Sequence, residues 1–197
     1  INRQIYLGPD GQDPLLKRSD QSHREWIYRQ AFHMGRHIIG YEVEKVLAAI
    51  DWFETSHPNS PIEVEGSGEG ALIAFYAAAC DPRIDEATIH GYFGSCEKIS
   101  SEPIYRNVYG LLREFGDGQI ASLVSPGKLT IVPGQNPEVT NQKGEIPAFD
   151  AGAAREEIKR LPEEINKNIS LLAAEPTAGK AVPLQEGRKA FSPQERH

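Results

Sequence analysis

The chain has 197 residues, of which 39% are hydrophobic, and a formal net charge of −7. This length is enough for one domain with a sizeable core. The basic residues are scattered, and phosphate contacts need clustered Lys and Arg, so we expect no nucleic-acid partner. No stretch reaches the roughly 18 apolar residues that a membrane span requires, so we expect no membrane partner either.

The first 60 residues are predicted to form a mainly helical lead-in. Gln4–Leu7 has the character of a short strand followed by a Gly-Pro turn. His23–Gly40 is a basic, aromatic stretch with helical character, and Gly40 separates it from a second helix. That helix covers Tyr41–Thr55, where apolar residues recur near helical spacing.

The segment 62–80 has the clearest pattern in the chain. A short β-branched run is followed by three alternating glycines and then by an Ala-rich apolar helix, which Asp81 and Pro82 end. The three glycines are Gly66, Gly68 and Gly70. This order predicts a strand, a tight turn and a helix.

Strands and helices alternate through the rest of the chain, which predicts a parallel α/β sheet with helices on both faces. Ile104–Phe115 is predicted as an amphipathic helix that Gly116-Asp117-Gly118 breaks, and Ile120–Leu123 as a second short helix. A further helix, Ala151–Asn168, should kink or split at Pro162. The predicted strands are Ile62–Glu65, Ala87–Phe93, Lys128–Val132 and Asn168–Ala173.

The frame Gly66-Ser67-Gly68-Glu69-Gly70 has the layout of a nucleophile elbow, which active hydrolases write G-x-S-x-G. The run GEGALIAFYAAACDPRIDEATIHGYFG resembles the elbow helix and next strand of α/β-hydrolases related to acetyl xylan esterases and dienelactone hydrolases. The downstream run NVYGLLREFGDGQIASLVSPGKLTIV is similar to theirs as well. The resemblance covers roughly residues 24 to 191.

The resemblance implies the C-terminal part of an α/β-hydrolase fold, without the strands that precede the elbow. We therefore expect a single partial domain over 1–197, with 1–60 as lead-in and 61–197 as the elbow and following βα units. The rest of a longer polypeptide is then an expected partner, and a small-molecule or carbohydrate ester a possible ligand. The resemblance also makes a secreted or periplasmic location possible, and we expect no cofactor and no metal.

The resemblance implies roles for the residues around the elbow. The apex, where the nucleophile belongs, is Gly68, which has no side chain. Ser67 is one residue early, and we expect its side chain to point away from the apex, into the packing below or beside the helix. The N–H of Glu69 would be an oxyanion donor in an active relative, whereas its carboxylate suits a helix start.

The other two catalytic roles are those of the acid and the base, and their candidates are sought at the positions expected after the third and the last predicted strands. Glu138, after the third predicted strand, is the candidate acid, although a solvated loop glutamate is an equal alternative. Asp117 is another candidate, which turn chemistry also explains. A catalytic base is expected after the last strand, but no histidine lies between Gly91 and Arg196, and His197 lies too far past that strand.

Neither a nucleophile at the apex nor a base after the last strand is found. The sequence therefore predicts an esterase-like domain that is catalytically impaired and serves for binding or scaffolding. The alternative is an active carboxyl-ester hydrolase of the acetyl xylan esterase or dienelactone hydrolase type. It would work through Ser67 or through residues outside this fragment. A second elbow with Ser or Cys at its apex in the full-length chain would distinguish the two hypotheses.

The remaining polar residues have simpler interpretations. His33 and His37 have the i, i+4 spacing of metal ligands but no third ligand nearby, and His90 is expected to be a hydrogen-bonded core residue. Cys80 and Cys96 are expected to be idle thiols. Several arginines and tyrosines could line an anion pocket, but pairing of the arginines with nearby acids is preferred. These residues are Arg24, Arg29, Arg36, Arg106, Tyr28, Tyr92 and Tyr105, and the acids are Glu25, Glu42 and Glu102.

Overall fold

A computed structural model describes residues 22–136 and 143–173. In these residues seven α-helices and four β-strands alternate in the order α1-α2-β1-α3-β2-α4-α5-β3-α6-α7-β4. The helices are α1 (His23–His33), α2 (Ile38–Ser56), α3 (Glu69–Cys80), α4 (Leu111–Glu114), α5 (Asp117–Val124), α6 (Ala151–Lys159) and α7 (Glu163–Asn166). The strands are β1 (Glu63–Ser67), β2 (Glu86–His90), β3 (Lys128–Val132) and β4 (Ile169–Leu171).

The four strands form one sheet in the order β1-β2-β3-β4, and every neighbouring pair is parallel. This confirms the predicted α/β class with its parallel sheet flanked by helices. The predicted strands differ from the observed ones by a few residues at their ends. Gln4–Leu7 lies outside the described residues.

The two faces of the sheet differ in polarity. In parallel pairs, residues in register carry their side chains on the same face. Val64 is therefore on one face with Ala87 and Leu129, while Glu63 is on the other with Glu86. The first face packs into the main core, which includes Phe75, Ile84, Ile89, Leu129 and Ile131. We call the second face, with Glu63, Glu65, Ser67, Glu86, Thr88, His90, Lys128 and Thr130, the polar face.

Helix α3 packs against β1 and β2. A helix that is apolar all round is a buried helix, and the small alanines let it approach the sheet closely. Its buried residues are Ala71, Leu72, Ile73, Ala74, Phe75, Ala77 and Ala78, as expected for the most buried element. The helix ends at Cys80 because Pro82 forces Asp81 into an extended conformation, with φ −129° and ψ 109°.

Two predicted boundaries are wrong and one is confirmed. Gly40 lies inside α2, and the break before α2 falls at Gly35, whose φ of 67° suits glycine. The continuous helix predicted for 104–115 does not form: the backbone is extended at Asn107 and left-handed at Gly110, with φ 79°, which leaves a 3-10 turn at 104–106 and the short α4. Pro162 does split the last helical region, into α6 and α7.

Candidate functional site

The turn between β1 and α3 is made by Gly68, which has φ 57° and ψ −118°. This conformation is open to glycine and strained for a residue with a side chain. The N–H of Gly68 donates to the carbonyl of His90, at 3.0 Å, and so ties the turn to the end of β2. The turn thus has the sharp strand-to-helix form that the glycine pattern predicts, with no side chain at its apex.

The outer glycines of the turn have different roles. A Cβ on Gly66 would lie 2.1 Å from the carbonyl oxygen of Gly70, which is far inside van der Waals contact. A Cβ on Gly70 would meet no atom within 4 Å. Close approach of strand and helix therefore requires glycine at position 66 and not at position 70.

The sequence predicts that the Ser67 side chain points into the packing below or beside the helix. In the structure Ser67 is instead exposed on the polar face. Its register partner on β2 is His90. His90 is half-buried rather than a core residue, and its Nε2 lies 2.8 Å from Oε1 of Glu65. The structure thus pairs an imidazole with a carboxylate at the carboxyl ends of β1 and β2, and it places Ser67 on the same face in register with His90. The sequence alone does not indicate this group, because residues 67 and 90 become neighbours only through strand pairing.

Glu69, the first residue of α3, is the centre of an ion network. Its Oε1 accepts from Nε of Arg106, at 2.8 Å, and from the hydroxyl of Tyr105, at 3.5 Å. Nη1 of Arg106 also donates to Glu102, at 3.0 Å. Burial works to lower the pKa of the Arg106 guanidinium, but Glu69 and Glu102 outweigh it and hold that pKa above its usual value. The carboxylate at the helix start is therefore neutralised by a buried cation.

Arg24 extends this network to α1. It forms a two-fold hydrogen bond with Glu42, with both distances 2.6 Å, and its guanidinium lies 5.0 Å from the centre of the Tyr105 ring. Arg29 pairs with Glu25, donating from both Nε and Nη2 to the one oxygen Oε1, at 3.0 and 2.7 Å. The structure therefore supports the interpretation that these arginines form ion pairs with nearby acids, and not the alternative that they line an open anion pocket.

Asp117 is a second buried acid, and it has different neighbours. It is 3% exposed and accepts hydrogen bonds from the Tyr92 hydroxyl at 3.2 Å, the Gly94 N–H at 3.1 Å and the Cys96 thiol at 3.5 Å. Burial raises the pKa of Asp117 to about 6, although the three hydrogen bonds act in the other direction. Asp117 is therefore a buried, hydrogen-bonded residue of the protein interior, and its role is not limited to forming a turn.

The two cysteines are free thiols, as expected. Burial, with Asp117 beside it, raises the pKa of the Cys96 thiol to about 12. Burial also raises the pKa of Cys80, with Asp81 contributing. Because the thiolate is the reactive form, neither thiol is activated as a nucleophile.

The predicted acid and the expected location of a base cannot be compared with the structure, since Glu138 and the residues after 173 lie outside the described residues. His33 and His37 fall on different sides of the break between α1 and α2. Nδ1 of His37 accepts from the N–H of Ile39 and so caps α2. Within residues 22–136 and 143–173, no group of three His, Cys, Asp or Glu side chains could hold a metal ion. No helix of that part is long and apolar enough to cross a membrane.

No family model and no curated protein matches this chain. The structure is similar to a solved structure from Bacteroides fragilis NCTC 9343, a protein provisionally described as an acetyl xylan esterase. The TM-score is 0.54 at 14% sequence identity, over 75% of this chain and 39% of that one. At this identity the similarity concerns the fold alone: a parallel α/β sheet flanked by helices. The chain spans well under half the length of the solved protein.

Proposed function

We propose that this chain is part of an esterase-like protein of the α/β-hydrolase type, in which the turn that would carry the nucleophile no longer does so. The observation that carries this proposal is Gly68. It has the strained backbone conformation of a strand-to-helix apex, and it has no atom that could attack a carbonyl. Without a nucleophile no acyl-enzyme forms at this turn.

The surroundings of Gly68 support the same conclusion. In an active elbow, the N–H that follows the nucleophile stabilises an oxyanion. Here that N–H belongs to Glu69, whose own carboxylate is held close by Arg106 and Tyr105. Arg106 is already paired with both Glu69 and Glu102, so these two carboxylates offset the charge that it could offer to a developing oxyanion. The groups around the turn are thus arranged for ion pairing within the protein.

The missing base is the second support for the proposal. No histidine occurs between Gly91 and Arg196, where a hydrolase of this type would place it. Glu138 remains our candidate for the acid. With nucleophile and base both vacant, the domain would serve for binding or scaffolding within a longer polypeptide. Its ligand would be a small-molecule or carbohydrate ester, and neither a cofactor nor a metal is required.

A second candidate function follows from the group Ser67, His90 and Glu65. In an active carboxyl-ester hydrolase that uses this group, Ser67 would attack the ester and His90 would take its proton. Glu65, which lies 2.8 Å from Nε2 of His90, would orient the imidazole. Ser67 and His90 are in register on adjacent parallel strands, so their side chains lie on the same face of the sheet.

A fluorophosphonate probe, which labels activated serines, separates the two candidates. We expect the wild-type chain to remain unlabelled and to hydrolyse p-nitrophenyl acetate no faster than a protein blank. Loss of triad members leaves at most the contribution of binding and the oxyanion hole, on the order of 10³–10⁴ over water. Gly68→Ser alone should not restore labelling, because the sequence has no histidine between Gly91 and Arg196 to act as the base.

The result that would overturn the proposal is labelling that disappears in Ser67→Ala and in His90→Gln but persists in Ser170→Ala. Ser170 is a matched control because it is exposed on the polar face of the same sheet, in register with Thr130. That pattern would establish the second candidate. An active Gly68→Ser variant would instead show that a base is present near the apex.

A further inference from the structure

The segment 92–96, which follows β2, is held by one side chain, the buried Asp117 of α5. The Tyr92 hydroxyl and the Cys96 thiol donate to Oδ1 of Asp117, at 3.2 and 3.5 Å. The N–H of Gly94 donates to Oδ2, at 3.1 Å. Because all three donors belong to one short stretch of chain, the Asp117 carboxyl group fixes the position of that stretch. We call segment 92–96 closed when these hydrogen bonds are present.

Phe93, in the middle of the closed segment, has a strained backbone. Its φ is 137°, in a region that residues with a side chain rarely adopt. Strain of this kind persists only where the surrounding structure imposes it. The Phe93 ring is buried and meets that of Phe75 in α3 edge to face, with centres 5.7 Å apart. Both chain neighbours of Phe93 donate to Asp117, so these hydrogen bonds help to hold the strained conformation.

Two other acids lie near Asp117, and each is paired with an arginine. Glu102 pairs with Arg106, at 3.0 Å, and Glu157 of α6, which lies against the start of α5, pairs with Arg160, at 2.7 Å. Within residues 22–136 and 143–173, Asp117 itself forms no ion pair. A negative charge on Asp117 is therefore buried without a cation of its own and is also repelled by Glu102.

The remaining groups around Asp117 are neutral. Burial raises the pKa of Tyr76 in α3, of Tyr92 and of Cys96, so all three keep their protons at neutral pH. The face of β3 that packs toward α5 carries apolar residues. Among these four titratable groups, Asp117 is the one that releases a proton near neutral pH, because burial raises its pKa only to about 6.

We propose that Asp117 is a proton-dependent latch for segment 92–96. With its proton bound, the neutral carboxyl group holds the segment closed. Release of the proton to solvent leaves a buried anion, and opening of the segment then brings water to the carboxylate and relaxes the backbone of Phe93. This inference goes beyond the proposed function, because it does not depend on whether the β1–α3 turn is catalytic.

The latch connects pH to the surface beside that turn. Segment 92–96 follows directly on the end of β2, where the carbonyl of His90 accepts from the N–H of Gly68. The Tyr92 ring also lies 5.6 Å from the guanidinium of Arg106, which pairs with Glu69 at the start of α3. Opening of the segment therefore changes the surroundings of both the turn and its ion network.

Acidic pH favours the closed segment. Its Asp117 pKa is about 6, whereas the ordinary value of 3.8 applies once water reaches the carboxyl group. The closed form binds the proton more tightly, so its advantage is complete below about pH 4 and is lost as the pH rises through 6. The population of the open form should rise about tenfold from pH 5 to pH 7 and change little above pH 7.

Hydrogen exchange of the Gly94 amide, followed by NMR on the full 197-residue chain, tests the proposal. Its protection factor, relative to the intrinsic exchange rate at each pH, should fall about tenfold from pH 5 to pH 7. The amide of Gly91 is the internal control, because it donates to the carbonyl of Val132, at 2.9 Å, and its protection should stay constant. N-ethylmaleimide labelling of Cys96, relative to the urea-unfolded chain at the same pH, should accelerate by the same factor.

Three variants separate the titration of Asp117 from other causes. Asp117→Asn keeps an acceptor for the Gly94 N–H but has no proton to lose near neutral pH, so Gly94 protection should be equal at pH 5 and pH 7. Tyr92→Phe removes a hydrogen bond that lowers the pKa of Asp117, so the midpoint of the change should move to higher pH. Glu97→Gln, at an exposed position next to the segment, should keep the wild-type profile.

Three results would each overturn the proposal. Protection of Gly94 that does not change with pH would show that the segment does not open when Asp117 titrates. A parallel loss of protection at Gly91 would show that the sheet opens as a whole. A wild-type profile in Asp117→Asn or Tyr92→Phe would assign the titration to another group. If Asp117→Asn does not fold, the midpoint in Tyr92→Phe decides.

Discussion

Two helices of this protein begin with the same short pattern, an acid between two glycines, and they place the acid in different electrostatic surroundings. Glu69 begins α3 in Gly68-Glu69-Gly70, and Asp117 begins α5 in Gly116-Asp117-Gly118. Each acid suits the positive end of its helix dipole. Glu69 lies 2.8 Å from the buried Arg106 guanidinium, whereas Asp117 has only neutral donors: a hydroxyl, an N–H and a thiol.

The difference shows that residues distant in the sequence decide which charges surround an acid at a helix start. Arg106 is 37 residues from Glu69 and belongs to a 3-10 turn, while the donors to Asp117 come from the loop after β2. Burial without a cation disfavours the charged carboxylate of Asp117 and raises its pKa to about 6. The following predictions test this comparison, from the largest expected effect to the smallest.

Arg106→Met should lower the free energy of unfolding by about 3–5 kcal/mol. The arginine side chain is 3% exposed, and its removal leaves the carboxylates of Glu69 and Glu102 without their shared cation. Urea unfolding measures the loss. Arg113→Met is the control, because the Arg113 side chain is 86% exposed and should change stability little. A loss equal to that of the control would mean that Arg106 does not neutralise Glu69.

Asp117→Asn should change the pH dependence of stability by about 3 kcal/mol between pH 4 and pH 7, since each pKa unit corresponds to about 1.4 kcal/mol. The folded pKa is about 6, above the ordinary value of 3.8, so the native state binds the proton more tightly. This tighter proton binding stabilises the native state relative to the unfolded state. The stabilisation is fully present below about pH 4 and is lost as the pH rises through 6.

The measurement is urea unfolding at several pH values. The difference in stability between Asp117→Asn and the wild type should move in favour of the variant as the pH rises. Glu164→Gln, at an exposed position in α7, provides the comparison for a general change in charge. If the two variants have parallel pH profiles, Asp117 does not titrate as its burial implies.

Gly66→Ala should destabilise the fold by about 1–3 kcal/mol, because the added Cβ would collide with the backbone of Gly70. A glycine of the other helix start, Gly118, provides a contrast, although by position it corresponds to Gly70. A Cβ on Gly118 would meet Oε2 of Glu157, at 3.1 Å, which is the end of a flexible side chain. Gly118→Ala should therefore be tolerated better than Gly66→Ala in thermal unfolding, and the reverse order would contradict this assignment.

Gly70→Ala has the smallest expected effect and the opposite sign. No atom lies within 4 Å of the added Cβ, and alanine is favoured over glycine in a helix by about 0.5–1 kcal/mol. The variant should melt at a slightly higher temperature than the wild type. A clear loss of stability would show that the turn needs glycine at position 70 as well as at position 66.

The sequence by itself determined the parallel α/β class and the position of the central segment. Both depend on local patterns: the β-branched run, the glycines at 66 and 68, and the alanines of α3. The split at Pro162 was predictable for the same reason, since proline removes a backbone donor whatever surrounds it. The helix predicted for 104–115 is wrong, because the backbone becomes extended at Asn107 and left-handed at Gly110.

Only the tertiary structure decided which polar groups meet. Strand pairing brings Ser67 beside His90, and the packing of the 104–106 turn on α3 brings Arg106 to Glu69. The sequence indicates Asp117 as a candidate acid or a turn residue, and nothing in its local pattern shows that Tyr92 and Cys96 surround it. Periodicity reports which residues are buried along one element. Contacts between elements depend on how they pack, and these contacts set the charge and reactivity of the site.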